Sequence, residues 1–162
     1  MKRRLIPTLI FLACAALLGF GLYLQYVEYL EPCPLCLAQR LAYIFCGTVA
    51  LLAALHGPGP LGARVYAGLL VLGAGAGAAL AGRQIWLQHL PPDQVPECGP
   101  GLEMWIQTLP LTEVIRKVLQ GTGDCAEVVW TFLGLSIPEW SLLMFLTVIV
   151  LAVIHARINR SP

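Results

Sequence analysis

The chain has 162 residues, of which 58% are hydrophobic and 12% are charged, and its formal net charge is +1. Its mean hydropathy is +0.77, whereas a typical soluble domain is about 45–50% apolar and about 25% charged. These values argue against an intrinsically disordered chain and against a nucleic-acid-binding protein. The hydrophobic residues therefore form either one soluble core or several membrane spans.

Long segments without Asp, Glu, Lys or Arg decide between these alternatives. They cover residues 5–27, 41–63, 65–82 and 140–156. A helix needs about 20 residues to cross a hydrocarbon core about 30 Å thick. The first segment is too long for the apolar region of a signal peptide, so we expect an uncleaved helix. The sequence predicts an all-α membrane protein, a single membrane domain over residues 1–162 with a four-helix transmembrane bundle. The predicted spans are about residues 5–27, 37–56, 64–83 and 140–157.

The distribution of charge predicts the orientation of the bundle. The basic residues on the side of the two termini are Lys2, Arg3, Arg4, Arg64, Arg157 and Arg160. All nine acidic residues fall in or beside the other two loops, at about 28–36 and 84–139. The positive-inside rule therefore places both termini in the cytoplasm and these two loops on the outer side of the membrane.

The long outer loop is the polar part of the chain. The prolines at its start discourage regular structure there, and they are Pro91, Pro92, Pro96 and Pro100. Further on, apolar residues at 111, 114, 115, 118 and 119 follow a helical period, with polar residues between them. This pattern predicts a short amphipathic helix lying in the membrane interface. Packing of its apolar face against the loop itself is the alternative.

Six cysteines divide into two groups by their depth in the predicted bundle. Cys14 and Cys46 fall in the middle of spans, where a thiol packs as a small apolar side chain. The other four lie in the outer loops, where disulfides are permitted, and they are Cys33, Cys36, Cys98 and Cys125. The simplest arrangement is two local pairs, with an interloop bond between Cys33 and Cys98 left open as a state during turnover.

Cys33 and Cys36 form a Cys-x-x-Cys motif at the predicted start of a helix, a spacing that supports thiol–disulfide exchange. Cys98 and Cys125 lie in the long loop, which a disulfide between them would stabilise by about 3–4 kcal/mol. The alternatives are two structural disulfides, or one structural disulfide and a zinc site. Zinc is disfavoured, because only His89 lies near these cysteines and the spacing of closed zinc sites is missing.

Arg40 lies about one turn into the second span, at a depth where a charge is costly and usually functional. It either extends its guanidinium to the interface or pairs with an electron-accepting oxygen next to Cys36. Arg83 ends the third span at the same boundary, so that both arginines are expected to face one pocket. The sequence has no flavin or nicotinamide fingerprint and no histidine pair suited to haem. A quinone dissolved in the bilayer is the acceptor that needs no such motif.

Several motifs of the chain occur in the same order in one known family. They are Glu31-Pro32-Cys33-Pro34-Leu35-Cys36 with Gln39-Arg40, Trp86-Leu87-Gln88 with Leu90-Pro91, Cys98, Gly123-Asp124-Cys125-Ala126-Glu127, and Phe132-Leu133-Gly134-Leu135 with Pro138-Glu139-Trp140. In these residues the chain resembles the disulfide bond formation protein B (DsbB) family, which are thiol:quinone oxidoreductases of the bacterial inner membrane. The resemblance covers nearly the whole chain.

The resemblance implies a role for each loop cysteine. Cys98 and Cys125 would oxidise a soluble periplasmic DsbA-like thiol oxidase, with Cys98 forming the mixed disulfide. Electrons would then pass to Cys33 and Cys36, and from Cys36 to ubiquinone or menaquinone in the lipid bilayer. No metal or haem takes part in this scheme.

On the quinone side, the resemblance implies that Arg40 supports the reactivity of the quinone. Some relatives carry a histidine near the quinone, and that position falls at Gln84 here; whether Gln84 or His89 replaces it is open. The alternatives to this reading are a non-enzymatic membrane scaffold with two static loop disulfides and a related quinone-coupled enzyme dedicated to one substrate.

Overall fold

The structure is a computed structural model that describes residues 2–99 and 102–159, so that Pro100 and Arg160 lie outside the described residues. The helices within these residues are α1 (Lys2–Tyr26), α2 (Pro34–His56), α3 (Pro60–Gln88), α4 (Leu102–Thr108), α5 (Leu111–Gln120) and α6 (Ile137–Ile158). The strands β1 (Thr131–Phe132) and β2 (Leu135–Ser136) pair as an antiparallel hairpin. Four of the described helices, α1, α2, α3 and α6, are long and apolar enough to cross a membrane. The all-α membrane fold is therefore confirmed.

Helix α2 begins at Pro34, at the Cys-x-x-Cys motif where the sequence predicted a helix start, and the predicted span from about residue 37 lies within it. A proline fits the first turn, where its missing N–H would have no partner in the helix. Cys33 precedes it with an extended backbone. At the other end, Gly57 has a φ of 55° and its N–H donates to the Ala53 carbonyl at 3.0 Å. A left-handed residue of this kind ends a helix and favours glycine.

Helix α3 has 29 residues and continues past the predicted boundary at residue 83. At 1.5 Å per residue it is about 43 Å long, more than a hydrocarbon core about 30 Å thick. Its last turns hold the long loop: Arg83 donates to the Gln120 carbonyl at 3.0 Å, and Gln88 accepts from the Ser136 hydroxyl at 3.0 Å. In the sequence, polar residues such as Arg83 and Gln88 indicate the end of a helix. In the structure the helix continues through them, because their hydrogen-bond partners come from the loop. We call the end of the bundle where α2 begins and α3 ends the thiol end.

The bundle core lies where α3 packs on α6 and where α2 packs on α1 and α3. At its centre Tyr43 stacks on Phe145, with ring centroids 4.3 Å apart. Gly77 makes room for that ring, since a Cβ at residue 77 would lie 2.4 Å from it. Cys14 and Cys46 are fully buried in this core, as predicted. Helices α1 and α6 contact each other far less than the other neighbouring pairs do.

The predicted amphipathic helix is confirmed as α5. Val114 is buried, whereas Leu111, Ile115 and Leu119 remain exposed. Val114 therefore packs against the protein itself. The other three side chains remain on the surface, where the predicted position in the membrane interface would bring them into contact with lipid.

The long loop also contains regular structure that the sequence did not predict. Besides α4, it has a short 3₁₀ turn at Pro92–Gln94, within the segment where the prolines were expected to prevent regular structure. The β1–β2 hairpin turns at Leu133 and Gly134, both with positive φ. A two-residue turn of this kind matches the twist of paired strands. Leucine is unusual at such a position, so the turn residues gave no clear hairpin signal.

Candidate thiol redox site

The Cys-x-x-Cys motif brings two thiols together at the thiol end. Cys33 lies just before α2 and Cys36 lies in its first turn, so that both side chains project from the same side of the helix. Their sulfur atoms lie 3.3 Å apart. Cys33 is buried and Cys36 is partly buried. The spacing predicted a pair at this place, and the structure assembles it.

Two buried glutamine side chains contact this pair. The Gln84 amide nitrogen donates to the sulfur of Cys36 at 3.2 Å and to that of Cys33 at 3.5 Å. The Gln84 oxygen accepts from the Gln39 amide nitrogen at 2.8 Å and from the Cys36 thiol at 3.5 Å. Hydrogen bonds to sulfur favour the thiolate. Gln84 thus lies against the thiols. Gln39 was not predicted as a site residue, and its signal in the sequence is its place beside Arg40 in the Gln39-Arg40 motif.

Cys125 joins the cluster from the long loop. It is fully buried beside Leu35 and Leu87, in the same small core as Cys33. The Cys33 side chain packs against Cys125, and its hydrogen-bonding effect lowers the pKa of Cys125 to about 6 against the opposing effect of burial. The same contact, followed by the contact with Cys36 and by burial, raises the pKa of Cys33. In this structure the loop sulfur that lies against Cys33 is therefore that of Cys125, while an interloop bond between Cys33 and Cys98 during turnover stays a prediction.

Cys98 is exposed at the surface of the same region. Its sulfur lies 2.9 Å from where a Cβ of Gly123 would stand, so the loop packs closely only because residue 123 has no side chain. The Gly123 N–H donates to the Glu97 carbonyl at 3.4 Å. Asp124 raises the pKa of Cys98, first because its carboxylate accepts a hydrogen bond from the thiol and then because its negative charge disfavours the thiolate. Cys98 and Cys125 thus flank one turn but differ in burial and in acidity.

An apolar groove of about 610 Å³ opens beside Cys36. It runs between α1, α2 and α6, where α1 and α6 are least tightly packed. An aromatic series closes one side, with centroid distances of 5.4 Å for Phe20–Trp130, 6.0 Å for Trp130–Phe132 and 6.1 Å for Phe132–Trp140. Its lining is mainly apolar, with polar groups that include Cys36, Gln39 and Arg40. A groove of this size and character suits a small apolar ligand that carries a few polar atoms.

The two arginines of the predicted boundary occupy different places. Arg40 lines the groove, and its guanidinium donates to the side-chain oxygen of Gln25 and to the Gly21 carbonyl at 2.9 Å, both on α1. Arg83 lies over the Trp86 ring, 4.2 Å from its centroid, and bonds the C-terminal end of α5. The structure therefore does not bring Arg83 to the groove, because the extension of α3 and the docking of α5 hold it elsewhere.

His89 lies at the end of α3, exposed, with its Nδ1 2.8 Å from the Ile85 carbonyl. Among residues 2–99 and 102–159, no group of three or more His, Cys, Asp or Glu side chains is placed to hold a metal ion.

Four membrane-spanning helices with a cluster of thiols at one end of the bundle define a multi-pass membrane protein with a thiol redox site. Comparison with known proteins agrees with this class. The family model described as "Disulfide bond formation protein DsbB" matches residues 3–155. The chain belongs to the DsbB family.

Individual relatives resemble the chain over almost its whole length. It is 55% identical over 162 residues to the disulfide bond formation protein B of Marinobacter nauticus, covering 100% of this chain and 96% of that protein. It is 58% identical over 146 residues to the protein of that name from Hahella chejuensis, covering 90% and 88% of the two chains. A third, from an Azoarcus species, is 52% identical over 144 residues, covering 89% and 86%. These relatives support a role in disulfide formation.

Proposed function

We propose that this protein oxidises the dithiol of a soluble DsbA-like periplasmic thiol oxidase and passes the two electrons to ubiquinone or menaquinone in the membrane. The observation that carries the proposal is the continuity of the site. Exposed Cys98 lies at the turn that holds Cys125, Cys125 contacts Cys33, Cys33 lies 3.3 Å from Cys36, and Cys36 lines the apolar groove.

Reaction with the partner begins at a Cys98–Cys125 disulfide. A partner thiolate attacks the accessible sulfur of Cys98, a bond forms between them, and Cys125 leaves as a thiolate. A sulfur whose thiolate is stabilised is the better leaving group. Hydrogen bonds from Thr122 and from the Leu35 backbone favour the Cys125 thiolate in this state, in which Cys33 is held in a disulfide. The second partner thiol then displaces Cys98, so that the partner leaves with a disulfide and its two electrons stay on Cys98 and Cys125.

Transfer between the pairs uses the contact of Cys125 with Cys33. The Cys125 thiolate attacks Cys33 in a Cys33–Cys36 disulfide, and Cys36 leaves as a thiolate beside the Gln84 amide. Cys98 then attacks Cys125, which restores the Cys98–Cys125 disulfide and releases Cys33. The two electrons now reside on Cys33 and Cys36, with Cys36 facing the groove.

The groove residues fit a quinone. Apolar and aromatic walls suit its ring and tail, and the Arg40 guanidinium suits a carbonyl oxygen. A bound quinone accepts two electrons and two protons, so that one quinol is formed for each partner dithiol oxidised. Arg40 bonds α1 in the groove wall, which favours a role at the groove over simple extension to the interface.

The proposed location is the bacterial inner membrane, with both termini in the cytoplasm. Exposed Arg4, Arg64 and Arg157 lie near the ends of their helices at the end of the bundle opposite the thiols. The positive-inside rule places such an end in the cytoplasm. The thiol end then faces the periplasm, where disulfides form.

Anaerobic mixing of the purified protein with a reduced DsbA-like partner and ubiquinone-1 tests the proposal, with loss of quinone absorbance as the signal. We expect continuous quinone reduction by the native chain and by Cys14→Ala, which alters a thiol in the bundle core. We expect none from Cys36→Ser. Absence of quinone reduction by the native chain, with the loop disulfides unchanged after mixing, would indicate the static scaffold instead.

A further inference from the structure

Helix α1 supplies the two hydrogen-bond acceptors of the Arg40 guanidinium. One terminal nitrogen donates to the Gln25 side-chain oxygen and the other donates to the Gly21 carbonyl at 2.9 Å. Gly21 and Gln25 lie four residues apart and therefore on one face of α1. The guanidinium is thus fixed between α1 and α2, in the wall of the groove that Cys36 also lines.

The guanidinium lies directly against α1 at Gly21. A Cβ at this position would lie 3.4 Å from the Arg40 Nε and 3.6 Å from one of its terminal nitrogens, which is ordinary contact distance. Gly21 contributes its backbone carbonyl, while Gln25 contributes the side-chain acceptor. Substitution can remove the acceptor on the Gln25 side chain, whereas the Gly21 acceptor is a backbone carbonyl that a substitution leaves in place.

Both acceptors are uncharged amide oxygens, which matters for the chemistry at the groove. A carboxylate in the place of Gln25 would hold the guanidinium equally well but would oppose its positive charge. An amide holds it and leaves that charge to act on whatever lies in the groove. In surroundings of low dielectric constant this difference is large, and it affects most the step in which negative charge develops on a bound oxygen.

We propose that Gln25 is a positioning residue that fixes the Arg40 guanidinium beside Cys36 without neutralising it. The proposal rests on the proposed function, because it assumes that the groove binds a quinone that Cys33 and Cys36 reduce. It separates two contributions of Arg40: its position, which governs how tightly a carbonyl oxygen is bound, and its charge, which governs how fast electrons are accepted.

Two substitutions test these contributions separately. Gln25→Leu removes the acceptor at similar volume, and we expect the affinity for ubiquinone-1 to fall about tenfold, as for loss of a hydrogen bond to a charged group. Gln25→Glu keeps an acceptor but adds a negative charge, and we expect the affinity to stay within about twofold while the saturating rate falls about tenfold. Gln107→Leu, the same exchange at an exposed residue of α4, is the matched control.

Affinity is measured without turnover, by quenching of tryptophan fluorescence when ubiquinone-1 is added to the oxidised protein, since Trp130 and Trp140 line the groove. The rate is measured separately, by mixing fully reduced protein with ubiquinone-1 under anaerobic conditions. No thiol partner is needed for either experiment. Unchanged melting profiles confirm that the variants are folded.

A double variant shows whether Gln25 acts through Arg40. If it does, Gln25→Leu has no further effect on affinity in an Arg40→Met background, whereas independent effects would add. Native affinity in Gln25→Leu, equal loss of affinity in both Gln25 variants, or additivity in the double variant would each overturn the positioning role. Failure of the reduced native chain to consume ubiquinone-1 would overturn the proposed function itself, and the role of Gln25 with it.

Discussion

Cys33 and Cys125 pack in one small buried core, although the two residues belong to different loops. In the reduced protein this contact makes the two thiols differ in acidity: it lowers the pKa of Cys125 to about 6 and raises the pKa of Cys33. It also brings Cys125 to the sulfur that it would attack once Cys33 is bonded to Cys36, because exchange needs a thiolate beside a disulfide.

The acidity of Cys125 should depend on its contact with Cys33. In the reduced protein we expect the Cys125 thiolate to form as the pH rises through about 6, and in Cys33→Ala to form only near the ordinary thiol pKa of about 8.5. The thiolate ultraviolet absorbance, recorded against pH and corrected with a Cys125→Ala protein, measures both. Cys14→Ala should titrate as the native chain does. Superimposable curves for the native chain and Cys33→Ala would show that the contact does not set this pKa.

The reactivity of Cys98 should be restrained by its neighbour. Asp124 raises the pKa of Cys98, so Asp124→Asn is expected to lower that pKa and to speed alkylation of Cys98 several-fold at pH 7, where only the thiolate reacts. Iodoacetamide labelling followed by mass spectrometry measures the rate. Glu113→Gln removes an exposed carboxylate on α5 and controls for net charge. Equal acceleration in both variants would mean that the effect is not local.

Arg40 should act on the quinone step and leave the partner step unchanged. We expect Arg40→Met to raise the apparent KM for quinone, because the guanidinium lines the groove, while the rate of thiol exchange at Cys98 stays at the native value. Steady-state quinone reduction gives the first quantity, and formation of the mixed disulfide with the reduced partner gives the second. Equal losses in both steps would indicate a folding defect instead.

Gly121 should be essential for docking the turn that carries Cys125. Its φ is 77°, and a Cβ there would lie 2.4 Å from a methyl carbon of Leu87 and 3.1 Å from one of Leu35. Backbone strain and overpacking each cost about 1–3 kcal/mol, so Gly121→Ala should lower the melting temperature in detergent. Gly134→Ala is the matched control, since φ is also positive there but a Cβ would meet no atom within 4 Å. An equal fall in melting temperature in both variants would mean that backbone strain, and not the contact with Leu87 and Leu35, causes the effect.

The sequence predicted the spans, the amphipathic helix and the four loop cysteines, because each has a local signal in hydropathy, periodicity or spacing. The start of α2 at the Cys-x-x-Cys motif was also predicted, whereas contacts with the long loop extend α3 past its predicted end. The β1–β2 hairpin has two-residue strands, which are too short for an alternating pattern to be visible.

The partners of the side chains could not be predicted in the same way. Gln25 and Gln39 are polar residues in largely apolar helices, and their hydrogen-bond partners depend on which helix packs against them. The contact of Cys33 with Cys125 depends on how the loop docks on Leu35 and Leu87. No spacing in one sequence encodes either arrangement.

The most direct test of the proposed transfer from Cys98 and Cys125 to the quinone counts the electrons that reach the quinone. With all four loop cysteines reduced and excess thiol removed, the native protein holds two dithiols and should reduce two equivalents of ubiquinone-1 anaerobically. Cys125→Ala, which retains only Cys33 and Cys36 as a pair, should reduce one equivalent, and Cys36→Ser should reduce none. One equivalent from the native protein would contradict transfer from Cys98 and Cys125 to the groove, and quinone reduction by Cys36→Ser would contradict the place of Cys36 at the end of the relay.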